Sequence, residues 1–323
     1  MPNYIPRKAL QLVVMLKPIS LLLHSFLLLV LIGTFSSMVY FIRNDPGVSA
    51  APAAMPLTPE LTPTPASLPA PSASPLPPLS PSPFPLSSSP TSADLAWTLI
   101  RPGLERRVIE VYNAQNQPVE SVYVWRLDQT LFRLDVAYDN TPKSLDAWQR
   151  ETSALMVVNG GYYSIRNENY FYPDGLTIVD GEPSGRSFNR GGMLAIDGQR
   201  AEIRWLAEEP YNAGEPLQAA LQSFPILVEP GGGLGYGSEK ESYARARRTV
   251  IAQDRQGRIL FMVAPKGYFT LHELSLYLTE SDLGLDIAVN LDGGGSTGIL
   301  VNEPRELIAP TRPIPFVILV YPR

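Results

Sequence analysis

The chain has 323 residues, 33 prolines, no cysteine and two histidines, and its 26 basic and 31 acidic side chains leave a formal charge of −5. Without cysteine there is no disulfide framework, no thiolate zinc site, no cysteine nucleophile and no Cys-borne lipid anchor. His24 lies in an apolar run, so His272 is the one histidine left to a soluble site and a two-histidine metal site is excluded. The acidic balance argues against a nucleic-acid partner, which favours a basic face.

Residues 1–18 carry Arg7, Lys8 and Lys17 and no acid. Residues 19–42 follow without a charge. At ~1.5 Å per residue this run is long enough for a hydrocarbon core of ~30 Å. Basic residues before it and a long domain after it predict a single-pass anchor with the bulk of the chain extracytoplasmic. Val48-Ser49-Ala50 also reads as a signal-peptidase site, in which case the product is secreted. Residues 43–92 are rich in Pro, Ser, Ala and Thr, and 15 of the prolines fall between Pro46 and Pro90. So few large apolar residues cannot pack a core, and the spacing of the prolines favours polyproline II. The segment is expected to be a disordered, semi-rigid stalk.

Residues 93–323 carry the remaining 22 basic and 29 acidic residues. Short apolar or alternating runs bounded by Gly, Pro, Asn and Asp predict an α+β domain, a strand-rich mixed sheet with few helices. Strands are expected at 107–112, 121–127, 131–138, 155–158, 176–179, 193–196, 202–205, 226–228, 249–253, 259–264, 287–291 and 316–321. Asp180-Gly181, Asp197-Gly198 and Gln256-Gly257 read as hairpin turns. One helix is strongly signalled. Thr270 with Glu273 three residues on is a capping box, Leu271, Leu274 and Leu278 form a stripe, and Gly284 is the expected stop.

Chemistry-bearing residues fall at the ends of these elements. Asn290-Leu291-Asp292-Gly293-Gly294-Gly295-Ser296-Thr297-Gly298 follows a buried strand. Glycine backbone there can turn its N–H groups toward one anion, and Asp292 supplies a carboxylate; a tight turn capped by Asp292 is the equal alternative. The run lacks the lysine of a phosphate-binding P-loop. It fits G-x-S-x-G, but no histidine follows Ser296 to complete a triad. Asn159-Gly160-Gly161-Tyr162-Tyr163 ends a second buried strand, with an amide that donates and accepts and with aromatics that either stack on a sugar or cover the sheet end. Arg245-Ala246-Arg247-Arg248-Thr249 enters a strand in an acidic domain. Arginine forks bind phosphate, though for Arg245 a solvated edge is expected. The Gly231–Gly237 stretch is expected to be a mobile loop.

In order and spacing, these segments resemble the phosphodiester glycosidase family between Leu155 and Val301. The family's apolar strand into Asn-Gly-Gly plus aromatics is similar to Met156–Tyr163, and its Gly-Leu strand to Gly175-Leu176. Asn189–Gly192 resembles its Asn-x-x-Gly segment and Gln222–Val228 its Gln-x-x-Pro-x-Leu-Val element. Arg248-Thr249, Thr270–Leu274 and Leu291–Ser296 match an Arg-Thr strand entry, a Thr-Leu-x-Glu-Leu helix and a Leu-Asp-Gly-Gly-Gly-Ser turn. Tyr163 stands where many members have Phe, Glu229-Pro230 where Asp-Gly is common, and His272 at a position the motif leaves free.

The resemblance implies hydrolysis of a sugar-1-phosphodiester at the anomeric carbon, in a glycan or envelope polysaccharide. A phosphate leaves readily, so the site needs anion binding, a carboxylate and sugar contacts more than a strong general acid. The implied assignment puts Asp292 as nucleophile or base, and Arg248, Thr249 and the Gly293, Gly294, Gly295 and Ser296 turn on the phosphate. Asn159 and Tyr162 then hold the sugar, Asn159 and Arg248 count with Asp292 as the catalytic set, Gly160 and Gly161 are further substrate- or phosphate-binding residues, and Asn189, Gln222 and Glu273 are secondary candidates. No cofactor can be read from the residues. A divalent cation such as calcium has room among carboxylates and loop carbonyls, without ligand spacing to place it. The alternative is a non-catalytic, membrane-tethered module that binds phosphorylated glycans.

Overall fold

In the strand Ile259–Ala264 every residue is buried. Alternate side chains enter different cores: Ile259, Phe261 and Val263 face one cluster, Leu260, Met262 and Ala264 another. A strand that is apolar on both faces belongs inside a sheet covered on both sides. The computed structural model describes residues 97–166 and 170–323, and in it this strand, β16, lies inside an eight-stranded sheet. Numbered along the chain and given in spatial order, that sheet is β1 (Thr98–Arg101), β2 (Leu104–Tyr112), β3 (Pro118–Leu127), β16, β15 (Arg248–Asp254), β17 (Leu285–Asn290), β13 (Ile226–Glu229) and β14 (Gly233–Leu234). A five-stranded sheet has the order β19 (Glu306–Ile308), β18 (Ile299–Val301), β5 (Met156–Asn159), β20 (Ile314–Pro322) and β4 (Phe132–Lys143). A second has β11 (Ala201–Trp205), β10 (Gly192–Ile196), β12 (Ala219–Ser223), β8 (Thr177–Val179) and β9 (Glu182–Ser184), and a ribbon joins β6 (Tyr163–Arg166) to β7 (Tyr170–Pro173).

One core unites the three large sheets. Trp125 and Phe261, Met156 and Ile318, and Leu194 and Leu221 all contribute to it. The opposite face of the eight-stranded sheet buries Val124, Val250, Leu260 and Met262 under the helix α2 (Leu271–Glu280), which presents Leu274 and Leu278. The helix α1 (Leu145–Thr152) covers β20 in the same way, with Leu145 and Trp148 against Val317 and Leu319.

The expected strand-rich domain with few helices is present, and α1 and α2 are the α-helices among the described residues. The sheets are not mixed. Every ladder between described strands is antiparallel. The helix crossover from β16 to β17 does join strands of like direction, but β15 sits between them and runs antiparallel to both. The capping box forms as expected: Glu273 N–H donates to the Thr270 hydroxyl and Thr270 N–H to the Glu273 carboxylate. The helix stops earlier than Gly284, because the Ser281 N–H and hydroxyl both satisfy Leu278 O. Gly284, at φ 66°, makes the turn into β17 instead. Asp180 (φ 51°) and Gly181 (φ 79°) adopt the left-handed pair of a tight hairpin between β8 and β9. The glycine stretch after β13 is a held hairpin rather than a loose loop, since Gly231 N–H donates to the Asp286 carboxylate and Gly232 N–H to Asp286 O. The anchor and stalk expected at 19–42 and 43–92 lie outside the described residues, within which no helix is long and apolar enough to cross a membrane.

Candidate active site

The C-terminal ends of β5 and β17 meet the N-terminal ends of β15 and β18, so that distant segments of sequence share one edge. Pairing of Val250 with Asn290 and of Val158 with Ile299 fixes the register. Asn159 is the joint. Its amide Nδ2 donates to Asp292 O (2.7 Å) and Gly160 O (3.3 Å). Its Oδ1 accepts from the Thr249 hydroxyl (2.7 Å) and Gly298 N–H (3.0 Å). A primary amide offers two N–H donors and two acceptor positions, and all four are spent on protein. The residue is 1% exposed. Asn159 and Thr249 therefore position the turn and have nothing left for a sugar or phosphate. Gly160 and Gly161 are packing glycines. A Cβ at Gly160 would lie 2.9 Å from that of Phe316, and one at Gly161 3.0 Å from Gln222 O.

Asp292 is held through its backbone, with its N–H on Gly160 O (3.0 Å) and its carbonyl on the Asn159 amide. The side chain is left to face the cleft lined by Gly161, Tyr163, Ser296, Pro315 and Phe316. Burial pushes its carboxyl above the ordinary range. A hydrogen bond from Ser296, the positive charge of Arg312 and the Gly293 N–H (2.9 Å) oppose that shift, while the charge of Asp174 adds to it.

The expected anion cradle is absent from the glycine turn. Gly293 N–H is spent on Asp292 Oδ1, Gly294 N–H on Arg247 O (2.8 Å) and Ser296 N–H on Gly293 O (3.1 Å). The turn closes as a short 3-10 segment, Gly294–Ser296, with Gly294 at φ 57°. Its glycines let chain pass close by: a Cβ at Gly293 would lie 2.8 Å from Arg247 O.

Anion binding falls instead to side chains. Arg248, 7% exposed, donates from Nε to Phe269 O (3.2 Å) and from Nη2 to Ala244 O (2.7 Å). Among the described residues no carboxylate lies within salt-bridge distance of it, and its Nη1 makes no hydrogen bond. Desolvation depresses its pKa, opposed by the surrounding Tyr162, Glu241 and Tyr236. A buried guanidinium without a counter-ion is costly unless an anion arrives. Arg312, in the exposed turn between β19 and β20, donates from Nε to Ser296 Oγ (3.2 Å) and lies over the Tyr163 ring at 5.8 Å.

Tyr162 is not an open platform. Its ring stacks on Phe224 at 4.6 Å and its hydroxyl meets the Asn290 amide at 2.6 Å. Gln222 is structural: Oε1 accepts from Leu176 and Phe188 N–H, both at 3.2 Å, and Nε2 donates to Ser187. Glu273 is committed to the capping box and to Arg245, which is solvent-exposed, as expected, and also donates to Tyr268 O. Asn189 is exposed on a loop. Among the described residues no group of three or more His, Asp or Glu side chains is placed to hold a metal ion.

Sequence reading placed Asn290 in the glycine-turn run without a role and missed Asp174 and Arg312. Asn290 was legible as the last residue of its strand, facing as Asp292 does. Asp174, whose N–H binds Tyr162 O and whose carboxylate takes the Ser164 hydroxyl, comes in through the β6–β7 ribbon. Arg312 is tied in by Thr311 N–H on Gly295 O. No local pattern signals either.

The domain's fold and sequence both have relatives. Among solved structures, the zebrafish N-acetylglucosamine-1-phosphodiester alpha-N-acetylglucosaminidase catalytic domain, auto-inhibited by its pro-peptide, superposes with a TM-score of 0.53 at 16% identity, covering 69% of this chain and 85% of that one. A hypothetical protein from Synechocystis gives 0.53 at 17% identity and covers 69% of this chain, which spans 62% of that protein. At these identities the likeness is one of fold. No curated protein sequence matches. The profile of the phosphodiester glycosidase family matches residues 152–321, more than half of the chain and nearly all of the site just described. The chain belongs to the phosphodiester glycosidase family.

Proposed function

We propose that this domain hydrolyses a sugar-1-phosphodiester, breaking the bond between the anomeric carbon and the phosphate oxygen. The observation that carries the proposal is that Arg248, which opens β15, and Asp292, just past β17, fall at the same end of two adjacent strands whose register pairs Val250 with Asn290. One is a buried carboxylate that accepts the Gly293 N–H and a hydrogen bond from Ser296, the other a buried guanidinium with no carboxylate at salt-bridge distance among the described residues. Family membership and the fold shared with the zebrafish enzyme support the same chemistry.

In this reading Arg248 and the Arg312–Ser296 pair bind the phosphate and disperse the charge it gains on leaving. Asp292 attacks the anomeric carbon or takes a proton from the attacking water. Water supplies the hydroxyl of the released sugar and the phosphate departs as a phosphomonoester. Asn159 and Thr249 act through Asp292 by fixing the turn.

The substrate we propose is a phosphorylated glycan or envelope polysaccharide. The basic 1–18 segment, the apolar 19–42 run and the Pro-rich stalk support a tethered, extracytoplasmic location for the domain. The test is release of phosphomonoester from a panel of synthetic sugar-1-phosphodiesters that differ in the sugar. Turnover of at least one sugar is expected, and none across the panel contradicts the proposal.

A further inference from the structure

Glu120 is a fully buried carboxylate that the chemistry proposed above does not use. It stands on β3 on the same face as Val122 and Val124, which pack under α2. Its Oε1 accepts Ser121 N–H and Lys266 N–H, both at 3.0 Å, and its Oε2 accepts Tyr268 N–H at 3.1 Å. Lys266 and Tyr268 lie in the loop from β16 to α2, 146 and 148 residues further along the chain. That loop also holds Arg248. Phe269 O accepts from Arg248 Nε at 3.2 Å and from Ala246 N–H at 3.3 Å, and Tyr268 O accepts from the Arg245 guanidinium. Gly267 turns the chain between the two clamped N–H groups at φ 81°, and a Cβ there would lie 3.4 Å from Ala246 C and Arg247 N. The loop therefore packs directly on the 245–248 arm. Arg247 O in turn takes Gly294 N–H, two residues past Asp292.

We infer that Glu120 is a positioning residue for the anion site: its carboxylate clamps the 266–269 loop and, through Phe269 O, sets where the Arg248 guanidinium lies. The consequence for substrate binding rests on the sugar-1-phosphodiester reading, whereas the clamp itself does not. Among Val122, Val124 and Leu274 an apolar side chain would serve the core at less cost than a buried carboxylate. What the carboxylate adds is its hold on the loop. That hold needs an acceptor on both sides, since each oxygen faces N–H donors. An amide has one oxygen. Turned one way it sets its NH2 group against Tyr268 N–H, and turned the other way against Ser121 and Lys266 N–H, so the loop is released at one end in either case.

The test is Glu120→Gln in the full chain, alone and combined with Arg248→Met, on a synthetic sugar-1-phosphodiester that the wild type cleaves. Glu120→Gln is expected to raise KM about fivefold or more with kcat within about twofold of wild type. In the Arg248→Met background it should change KM by less than about twofold, because its effect runs through that guanidinium. An unchanged KM, a loss carried by kcat alone, or the same fold-change in both backgrounds overturns the inference. Should Glu120→Gln fail to fold, Gly267→Ala, which strains the same loop at a left-handed position, takes its place with the same expected and overturning results. Should the wild type cleave no such substrate, the function reading falls and amide hydrogen exchange decides the clamp. Exchange faster by about tenfold or more in the segment holding Ala246, with α1 unchanged, upholds it. Unchanged exchange in that segment, or an equal rise in α1, overturns it.

Discussion

The Asn159 side-chain amide donates to the backbone carbonyl of Asp292 at 2.7 Å across 133 residues of sequence. Because the same amide also holds Gly160 O, the Thr249 hydroxyl and Gly298 N–H, it fixes the turn from four sides. Replacing Asn159 by Ala removes a bond from four buried groups, of which Gly160 O keeps its Asp292 N–H and the other three lose the partner named here. Each unsatisfied buried group costs ~1–3 kcal/mol, though relaxation and water recover part of the total. A net loss of about 3 kcal/mol is expected, a Tm drop of roughly 6–12 °C in thermal denaturation. Thr249→Val, which removes one of the four bonds, should cost about 1 kcal/mol.

Asp292 links activity and stability to pH in opposite senses. Its folded carboxyl is raised above the ordinary 3.8, chiefly by burial, so the native state holds the proton more tightly than the unfolded chain. Between 3.8 and the raised value the native state binds the extra proton, and the contribution of Asp292 to stability falls as pH rises through that window. Above it the ionised group remains a constant cost. Asp292→Asn is therefore expected to melt higher than wild type at pH 7, with the difference shrinking as pH falls toward 4. Activity needs the ionised carboxylate, so kcat should decline on the acid side at a pH above the usual aspartate range. A variant that melts lower than wild type at pH 7 contradicts the burial argument.

Arg248 is buried with no carboxylate at salt-bridge distance among the described residues, and losing its charge should be cheap for the fold and costly for ligand binding. Arg248→Met is expected to retain the wild-type Tm within a few degrees while phosphodiester KM rises at least tenfold. Arg248→Lys should not rescue it, because an ammonium cannot span Phe269 O and Ala244 O and still present a free fork. An unchanged KM in both variants removes Arg248 from the anion site.

The sequence made the framework legible where the signal was local. Ile259–Ala264 is a continuous apolar run, Asp180-Gly181 a turn pair with left-handed preference, and Thr270 with Glu273 a reciprocal cap, and each forms as read. Elements such as Ile299–Val301 and Glu182–Ser184 are too short for periodicity to register. The helix Leu145–Thr152 did carry a readable signal, Ser144 accepting from Ala147 N–H as its N-cap. In the site, the residue types were legible and their duties were not. The glycine turn spends its N–H groups on Arg247 and on itself, and Asn159 spends its amide on three other segments. Those partners are supplied by strand register, which one stretch of sequence does not encode. Arg312 reaches Ser296 through a turn 16 residues downstream for the same reason.

The most direct measurement is phosphomonoester release from a synthetic sugar-1-phosphodiester by the wild type and by Asp292→Asn, with thermal denaturation of both. Asp292→Asn should lose turnover by at least 10³-fold while folding at least as stably as the wild type. A folded Asp292→Asn that cleaves the substrate at the wild-type rate would remove the carboxylate from the chemistry and contradict the assignment of this site.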